Sequence, residues 1–543
     1  MKQKQNGVLN VKKLTFFGFF AMTASMVMTI DDYPSVATAK FACVFFSLLA
    51  GLCWFLPTAL ISAEMASVEG WSEGGVFGWV GNALHSELLG YVALFCQWFE
   101  VTIGFVTMCY FVIGMISETF GWSILNDNPT LKFFEVLILF GIINILQLRG
   151  TKATAQIAKV GFFLGVFIPG FLLFILALIY MGQGNPVAIT MDPHTFFPDF
   201  RQDGTLTIFA TFILMYAGIE SSGTHINQLD NASKNYPRTM FAMFILAIIM
   251  DSLGGMSIAA TVPQSKLSMN AGMYQALDFL MCHFNSHLGW LAGLFSIFMA
   301  LGIVAEIGSW VVGPSKGLQD SAMYGLMPRW VAQENKFGVP THMISAQFII
   351  VAIWDAVLTF GGGTNGNMSF LIATTLTSIV YLVCYFLMYA SYFKLIFTEK
   401  ELKRTYNVPG GIVGKTIFAC CGFLCSLFAF CVSFIPTSAL PASDGSRFVT
   451  ILVYCFLGTV LLAFFIPSFR RVYLKKLSAD EVRVMHFRLM WRRVPQVMQK
   501  AIKAAREREN IKEVDGKFVQ VITKSDGTVQ TETRSEKFEN SGF

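Results

Sequence analysis

Charged side chains are scarce in this sequence. Asp, Glu, Lys and Arg make up 13% of its 543 residues, whereas soluble domains carry about 25%. Hydrophobic residues make up 54%, with 54 Phe. This balance excludes a soluble globular protein and predicts an all-α integral membrane protein. The net charge of +5 is too small to indicate a nucleic-acid partner, so we expect the lipid bilayer to be the main surroundings of the chain.

Clusters of metal-binding or disulfide-forming residues are also missing. Nearly all of the eleven Cys lie inside apolar runs, and the group Cys420, Cys421 and Cys425 has no neighbouring His or acidic residue. We interpret them as small packing residues and expect no metal and no cofactor. No secretory signal peptide precedes the first apolar stretch, so the first helix is expected to direct insertion and to be retained.

Long apolar runs are abundant. A membrane helix needs about 20 mostly apolar residues, and the sequence predicts about twelve. Their ranges are 14–37, 41–66, 88–120, 131–149, 156–181, 204–228, 238–262, 288–318, 341–360, 367–396, 413–435 and 448–467.

Basic residues fall on alternate loops. With the N-terminus inside, seventeen Lys and Arg before the C-terminal tail lie on the inner side and five on the outer side. The positive-inside rule therefore predicts a multi-pass protein of the cell membrane (the inner membrane in a Gram-negative cell) with both termini cytoplasmic.

Two tails flank the spans. Residues 1–13 are expected to form a cytoplasmic N-tail, and residues 468–543 a basic cytoplasmic C-tail. Residues 480–509 show helical spacing of apolar and basic residues, which fits a surface helix or a regulatory plug. A solvated tail held near anionic lipid is the alternative. Residues 519–529 suggest a short hairpin around Asp526-Gly527.

Two predicted spans carry polar residues at membrane depth. The first contains Thr23, Ala24, Ser25 and Met26, and the sixth reads Tyr216-Ala-Gly218-Ile-Glu220-Ser-Ser-Gly223. A carboxylate in lipid is costly and marks a functional candidate, and the two glycines allow the helix to unwind. For Thr23 and Ser25, helix packing is an equal alternative.

The five-span separation of these segments predicts two inverted repeats, residues 14–181 and 204–396, followed by two extra helices at 413–467. Broken helices in such repeats form midplane substrate sites. We expect the backbone opened near Ser25 and Met26 to bind a substrate carboxylate, and carbonyls around Tyr216 to Gly218 to bind an ammonium group. An amino acid carries both groups.

Further candidates lie in other spans. Tyr381 and Tyr385 are one helical turn apart and could donate hydroxyls to a substrate, or simply pack. Four acidic residues are also predicted at or near membrane depth, and either function or structure can explain them. They are Glu64, Glu100, Asp251 and Glu306.

The chain resembles the amino acid–polyamine–organocation superfamily, and within it the bacterial glutamate/gamma-aminobutyrate antiporters, over roughly residues 13–467. Each motif is weak alone, and together they are specific. They include TASMVM (23–28), AEM (63–65), GWSEGGVF (70–77), AKVGFF (158–163), TFFPDF (195–200), GIE (218–220), AEI (305–307), SW (309–310) and NMSFLIA (367–373).

The resemblance implies the inverted five-plus-five helix fold with two extra helices. It implies exchange of extracellular glutamate for intracellular gamma-aminobutyrate in acid resistance, coupled to a cytoplasmic amino acid decarboxylase. It also implies that residues 23–26, Glu220, Trp310, Tyr381 and Tyr385 lie around the transport path, with Glu306 tied to it, and that a C-terminal segment can plug the inward path.

The chain departs from this family in two ways. Its C-tail does not look like the family plug, so the plug is a hypothesis based on the basic amphipathic stretch, and the second departure concerns the substrate. The chain has Asp31-Asp32-Tyr33 where the antiporters tend to have an aromatic residue before an acidic one. Asp31 is therefore a candidate site residue that would oppose an acidic substrate at neutral pH and oppose it less in acid. Another amino acid or amine pair stays open.

Other functional classes fit less well. A phosphate loop at 410–416 would need Gly at position 409, which is Pro, so we expect no enzyme. A channel would need a continuous polar pore, which the interrupted helices do not suggest. A transporter-like sensor is a third alternative, for which the appended basic tail is the one indication.

Overall fold

A computed structural model describes residues 14–69, 71, 75–199, 205–323, 325–361, 366–436, 445–474, 511–514, 517–523 and 529–534. Twenty α-helices make up almost all of it. In the first half these are α1 (Phe16–Val27), α2 (Tyr33–Ala37), α3 (Ala42–Ala50), α4 (Leu56–Ala66), α5 (Val76–Leu84), α6 (Glu87–Phe120), α7 (Ile124–Asp127), α8 (Pro129–Gln147), α9 (Thr151–Gly161), α10 (Ile168–Gly182) and α11 (Pro193–Phe196).

In the second half, the helices are α12 (Thr205–Met215), α13 (Ala232–Thr261), α14 (Gly272–Phe284), α15 (Gly289–Met323), α16 (Thr341–Gly361), α17 (Gly366–Phe397), α18 (Gly411–Val432), α19 (Gly445–Ser468) and α20 (Arg470–Leu474). Single π-helical turns, Gly51–Phe55 and Phe162–Phe167, join α3 to α4 and α9 to α10. Short 3₁₀ helices cover Ile30–Asp32, Ile219–Gln228, Gln264–Lys266, Ser286–Leu288 and Arg329–Ala332.

The prediction of about twelve spans is confirmed. In the described part of the chain, eleven helical segments are long and apolar enough to cross a membrane. The remaining predicted span, 14–37, is divided between α1 and α2, and neither piece is long enough alone. Its interruption, rather than a lack of apolar residues, separates it from the other eleven.

The helix α6 lies at the centre of the molecule. In its most apolar stretch 94% of the residues are buried, against 17% for the peripheral α19. It packs most extensively against α15 and α17. Ser86 caps its start by accepting a hydrogen bond from the Leu89 amide (3.3 Å), and Gly121 ends it in a left-handed conformation.

A small antiparallel sheet lies in the C-terminal tail and departs from an all-helical chain. Strand β1 (Ile511–Val514) pairs with β2 (Lys517–Thr523), which pairs with β3 (Val529–Arg534). The hairpin expected at 519–529 is therefore confirmed, with one additional strand. The amphipathic stretch 480–509 lies outside the described residues.

Candidate functional site

The first broken helix opens two residues later than expected. Helix α1 continues through Val27, and the Met28 amide donates to the Ala24 carbonyl (2.9 Å). The amide groups of Ser25 and Met26 are therefore used inside the helix, and the free groups at its end are carbonyls. Such an end carries partial negative charge, which suits an ammonium group better than the carboxylate that we expected there.

The second broken helix turns at Gly218. This residue has φ of 107°, a conformation that side chains other than glycine rarely adopt. Its amide donates to the Tyr385 hydroxyl (2.9 Å). A Cβ atom at this position would lie 2.6 Å from the Trp310 ring. The glycine therefore serves both the turn and the close approach of α15.

Glu220 accepts hydrogen bonds from three side chains. Its carboxylate is fully buried and bonds the hydroxyls of Tyr381 and Tyr385, the latter at 2.6 Å. The Gln97 amide nitrogen donates to it at 2.8 Å and to the Ser221 hydroxyl at 2.7 Å. These polar contacts tie the 3₁₀ segment after the break to α17 and α6.

Trp310 connects the two breaks. Its ring nitrogen donates to the Met26 carbonyl (3.1 Å) at the end of α1. Its ring meets the ring of Tyr381 edge to face, with 6.4 Å between centroids, and lies against Gly218. One side chain of α15 therefore contacts α1, α17 and the turn after α12.

A small cavity, which we call the acidic chamber, adjoins Trp310 and Tyr381. Its volume is about 50 Å³. Its acidic lining residues are Asp31, Asp32 and Glu100, all buried. The structure thus places Asp31 beside the candidate site, on the segment that follows the break of α1.

Two of the residues predicted to line the site pack against other parts of the protein. Tyr216 stacks on Phe55 (5.0 Å between centroids), and its hydroxyl donates to the Ser47 carbonyl at 3.3 Å. Thr23 is buried and donates to the Phe19 carbonyl (2.9 Å) within α1. Among the predicted site residues, these two therefore face the helix packing, away from the Glu220 carboxylate.

Glu306 lies apart from the Glu220 network. Its side chain is fully buried, and both carboxylate oxygens lack a hydrogen-bond partner among the described residues. Ala24 and Ser25 are buried on α1, next to Met26. The Glu100 and Asp251 side chains, predicted at membrane depth, are buried as well.

Sequence reasoning missed Gln97 and Ser221. On α17 it identified Tyr381 and Tyr385 but missed Thr374 and Thr377. On that helix Thr374, Thr377, Tyr381 and Tyr385 follow one another at intervals of three, four and four residues, and the first three line the acidic chamber. This spacing puts them on one face of a helix, so the pattern was available in the sequence. For Gln97 the signal is its position one turn before Glu100 on α6.

Glu64 belongs to a separate network that holds helices together. Its carboxylate accepts from Arg404 (2.8 Å), Lys415 (2.6 Å) and the Tyr392 hydroxyl (2.9 Å), and from the Val408 amide (2.8 Å). The segment 410–416 forms the start of α18. Its Lys415 is engaged with Glu64 and is therefore not presented to a phosphate.

Comparisons with known proteins decide the family. The family model described as "Amino acid permease" matches residues 14–464. The chain belongs to the amino acid permease family. This match covers every described membrane helix except the end of α19 and confirms the resemblance found in the sequence.

Named relatives of the permease extend this finding. A "Glutamate/gamma-aminobutyrate antiporter" of Lactococcus lactis subsp. lactis (strain IL1403) is 48% identical over 458 residues, covering 84% of this chain and 91% of that protein. A protein of the same name from L. lactis subsp. cremoris (strain MG1363) is 49% identical with the same coverage. An "Uncharacterized transporter lpg1691" of Legionella pneumophila is 28% identical over 87% of this chain and 99% of its own.

The permease is a membrane transporter for amino acids, as its family and its many apolar helices establish. In the part of the chain that the structure describes, no group of three or more His, Cys, Asp and Glu side chains is arranged to hold a metal ion.

Proposed function

We propose that the permease is an antiporter that exchanges extracellular glutamate for intracellular gamma-aminobutyrate. The observation that carries the proposal is the polar site between the two broken helices, where Trp310 contacts the end of α1 and Glu220 is held by Tyr381 and Tyr385. The substrate pair is supported by the relatives of that name at 48% and 49% identity.

Substrate recognition follows from the two helix breaks. The carboxyl-terminal ends of α1 and α12 carry partial negative charge and free carbonyls, which suit a substrate ammonium group. The segment that begins after the second break, at Ile219, has the opposite polarity and suits a carboxylate. We therefore assign the carboxylate to this later segment, in place of the backbone near Ser25 and Met26.

One-for-one exchange requires that the carrier reorients readily between its inward-facing and outward-facing states only when substrate is bound. Trp310, Tyr381 and Tyr385 would line or gate the path, because their contacts bridge the broken helices and the α6–α15–α17 frame. Glu220 shapes the site by accepting hydrogen bonds. No ion gradient or nucleotide is needed for one-for-one exchange.

The cellular role depends on orientation. We propose that both termini are cytoplasmic, on the basis of the distribution of Lys and Arg over the loops. Glutamate entering would then reach a cytoplasmic decarboxylase, which releases carbon dioxide and consumes one proton for each gamma-aminobutyrate formed. The antiporter would export that product, and the cycle would protect the cell against acid.

Counterflow in proteoliposomes tests this function. The purified permease is reconstituted with internal gamma-aminobutyrate, and uptake of labelled glutamate is followed at about pH 5.5 and about pH 7.5, either side of the ordinary His pKa. We expect saturable uptake that requires the internal substrate and is stronger in acid. Empty vesicles are the control.

Two other results would change the account. Uptake into empty vesicles that rises in proportion to the gradient would indicate a channel. Exchange with a different amino acid or amine, and none with glutamate, would keep the exchange mechanism and replace the substrate pair. Binding without transport of any tested amino acid would indicate a sensor.

A further inference from the structure

The acidic chamber has an unusual balance of charge. Asp31, Asp32 and Glu100 line it, and no Lys, Arg or His is among its described lining residues. Buried carboxylates require a positive partner or a proton to offset the loss of water. The chamber therefore has the electrostatics of a site for a cation.

Hydrogen-bonding capacity in the chamber is left unused. One carboxylate oxygen of Asp31 is buried without a partner among the described residues, whereas Asp32 accepts a hydrogen bond from Thr29 (3.3 Å). No described side chain or amide donates a hydrogen bond to Glu100. Oxygen acceptors that face a cavity and lack donors suit a ligand that brings several N–H groups of its own.

A hydroxyl group gives independent evidence for a ligand. Thr107 and Thr374 donate to the carbonyls of Gly104 (2.8 Å) and Phe370 (3.1 Å) of their own helices. Thr377, which is 6% exposed and lines the same chamber, has no partner for its hydroxyl oxygen in the part of the chain that the structure describes. A threonine inside a helix ordinarily bonds back to its own backbone, so this free hydroxyl is available to something in the chamber.

The chamber also adjoins the end of α1. Met26 lines it, and the last carbonyls of that helix give the region partial negative charge. Its volume of about 50 Å³ holds a few water molecules, each needing roughly 10–15 Å³. This is room for the head group of a substrate.

We propose that the acidic chamber is a subsite for the terminal ammonium group of an ω-amino acid. The subsite rests on the exchange of gamma-aminobutyrate proposed above and assigns the positive end of that substrate to Asp31, Glu100 and Thr377. An α-amino acid has its ammonium beside a carboxylate, which the acidic lining repels. The chamber would therefore favour the decarboxylated product over its precursor.

The test compares two ligands on two proteins. Gamma-aminobutyrate and 4-hydroxybutyrate differ in having an ammonium or a hydroxyl at the same end. Each competes against labelled glutamate in the counterflow assay, with the wild type and with Glu100→Gln. The half-inhibitory concentration of 4-hydroxybutyrate divided by that of gamma-aminobutyrate measures how strongly the protein prefers the ammonium group.

We expect the wild type to prefer gamma-aminobutyrate and Glu100→Gln to reduce that ratio about tenfold or more, as expected for a lost charge-assisted contact. Thr377→Val, which keeps the shape of the side chain, should reduce it less. The matched control is Asp355→Asn, which changes a buried carboxylate on α16 bonded to Thr359 (2.8 Å) and should leave the ratio unchanged.

Three results overturn the proposal. An unchanged ratio in a well-folded Glu100→Gln protein would remove the ammonium from the chamber. Loss of wild-type transport when choline replaces sodium, with that dependence abolished by Glu100→Gln, would assign the chamber to an inorganic cation. Failure of the wild type to exchange gamma-aminobutyrate at all would refute the exchange function itself, and the subsite with it.

Discussion

Glu220 has no cationic partner among its described contacts. Its burial is offset by three neutral donors, the hydroxyls of Tyr381 and Tyr385 and the amide of Gln97. Hydrogen bonds to a charged group contribute about 1.5–3 kcal/mol each. A substrate that displaces one of these donors must replace its hydrogen bond, because the substrate and the donor compete for the same carboxylate oxygens.

The first prediction concerns this carboxylate. Glu220→Gln removes the charge but keeps the shape, and we expect glutamate counterflow to fall about 10- to 100-fold, the equivalent of one charged hydrogen bond. Tyr385→Phe should cause a smaller loss, because Tyr381 still donates. Near-normal exchange by Glu220→Gln at normal expression would remove this residue from the site.

A second prediction concerns the turn at Gly218. Gly218→Ala places a methyl group 2.6 Å from the Trp310 ring and strains a backbone at φ of 107°, so we expect exchange to be lost while the protein still reaches the membrane. Gly458→Ala on α19 is the control, since nothing lies within 4 Å of its added Cβ. Equal activity of the two variants would contradict this role of Gly218.

Among whole elements, both interruptions of the membrane helices could be predicted from sequence. Gly218 and Glu220 indicated the second break because a glycine and a carboxylate are each unfavourable within a lipid-facing helix. The first break was placed too early. The polar side chain of Thr23 suggested a break in this region, but its hydroxyl donates a hydrogen bond to a carbonyl of α1. A threonine bonded in this way is compatible with a continuous helix.

Contacts between distant elements could not be predicted in the same way. Gln97 and Glu220 are 123 residues apart, and their contact depends on how α6 packs beside the 3₁₀ segment. Tyr216 is one residue from Ala217, which lines the chamber, yet it points to Phe55. Around a broken helix the direction of a side chain does not follow the helical period, so the sequence alone leaves it undetermined.

The third prediction belongs to the network of Glu64, which joins α4 to α17, α18 and the segment between them. Breaking a buried ion pair costs about 3–5 kcal/mol, so Glu64→Ala should lower the thermal unfolding midpoint strongly. Lys415→Met should lower it less, because Arg404 remains paired. The measurement is tryptophan fluorescence of the purified protein in detergent during heating.

The exposed Glu401 lies near Arg404 in the sequence and supplies the control. Glu401→Gln should leave the midpoint unchanged. An equal midpoint for Glu64→Ala and Glu401→Gln would show that the network does not stabilise the fold.

At the scale of the whole molecule, the C-terminal tail contributes none of the residues that we assign to the substrate site. Arg470, at its start, forms an ion pair with Glu87 at the beginning of α6. A truncation after residue 474 therefore keeps this pair and removes the basic stretch that we propose as a regulatory plug. We expect the truncated permease to retain exchange at about pH 7.5, where we expect exchange by the intact chain to be weak.

An unchanged pH profile after this truncation would refute the plug. A control truncation after residue 510, which removes the three strands and retains residues 475–510, separates the contribution of the sheet from that of the basic stretch. Only the protein truncated after residue 474 should lose the pH dependence of exchange.

The central claim is that substrate binds where the two broken helices meet. Cryo-electron microscopy of the permease with saturating gamma-aminobutyrate tests it directly. We predict ligand density between the end of α1 and Glu220, in contact with Trp310, with its ammonium end in the acidic chamber. Density elsewhere, with the space between Met26 and Glu220 unoccupied, would contradict the account.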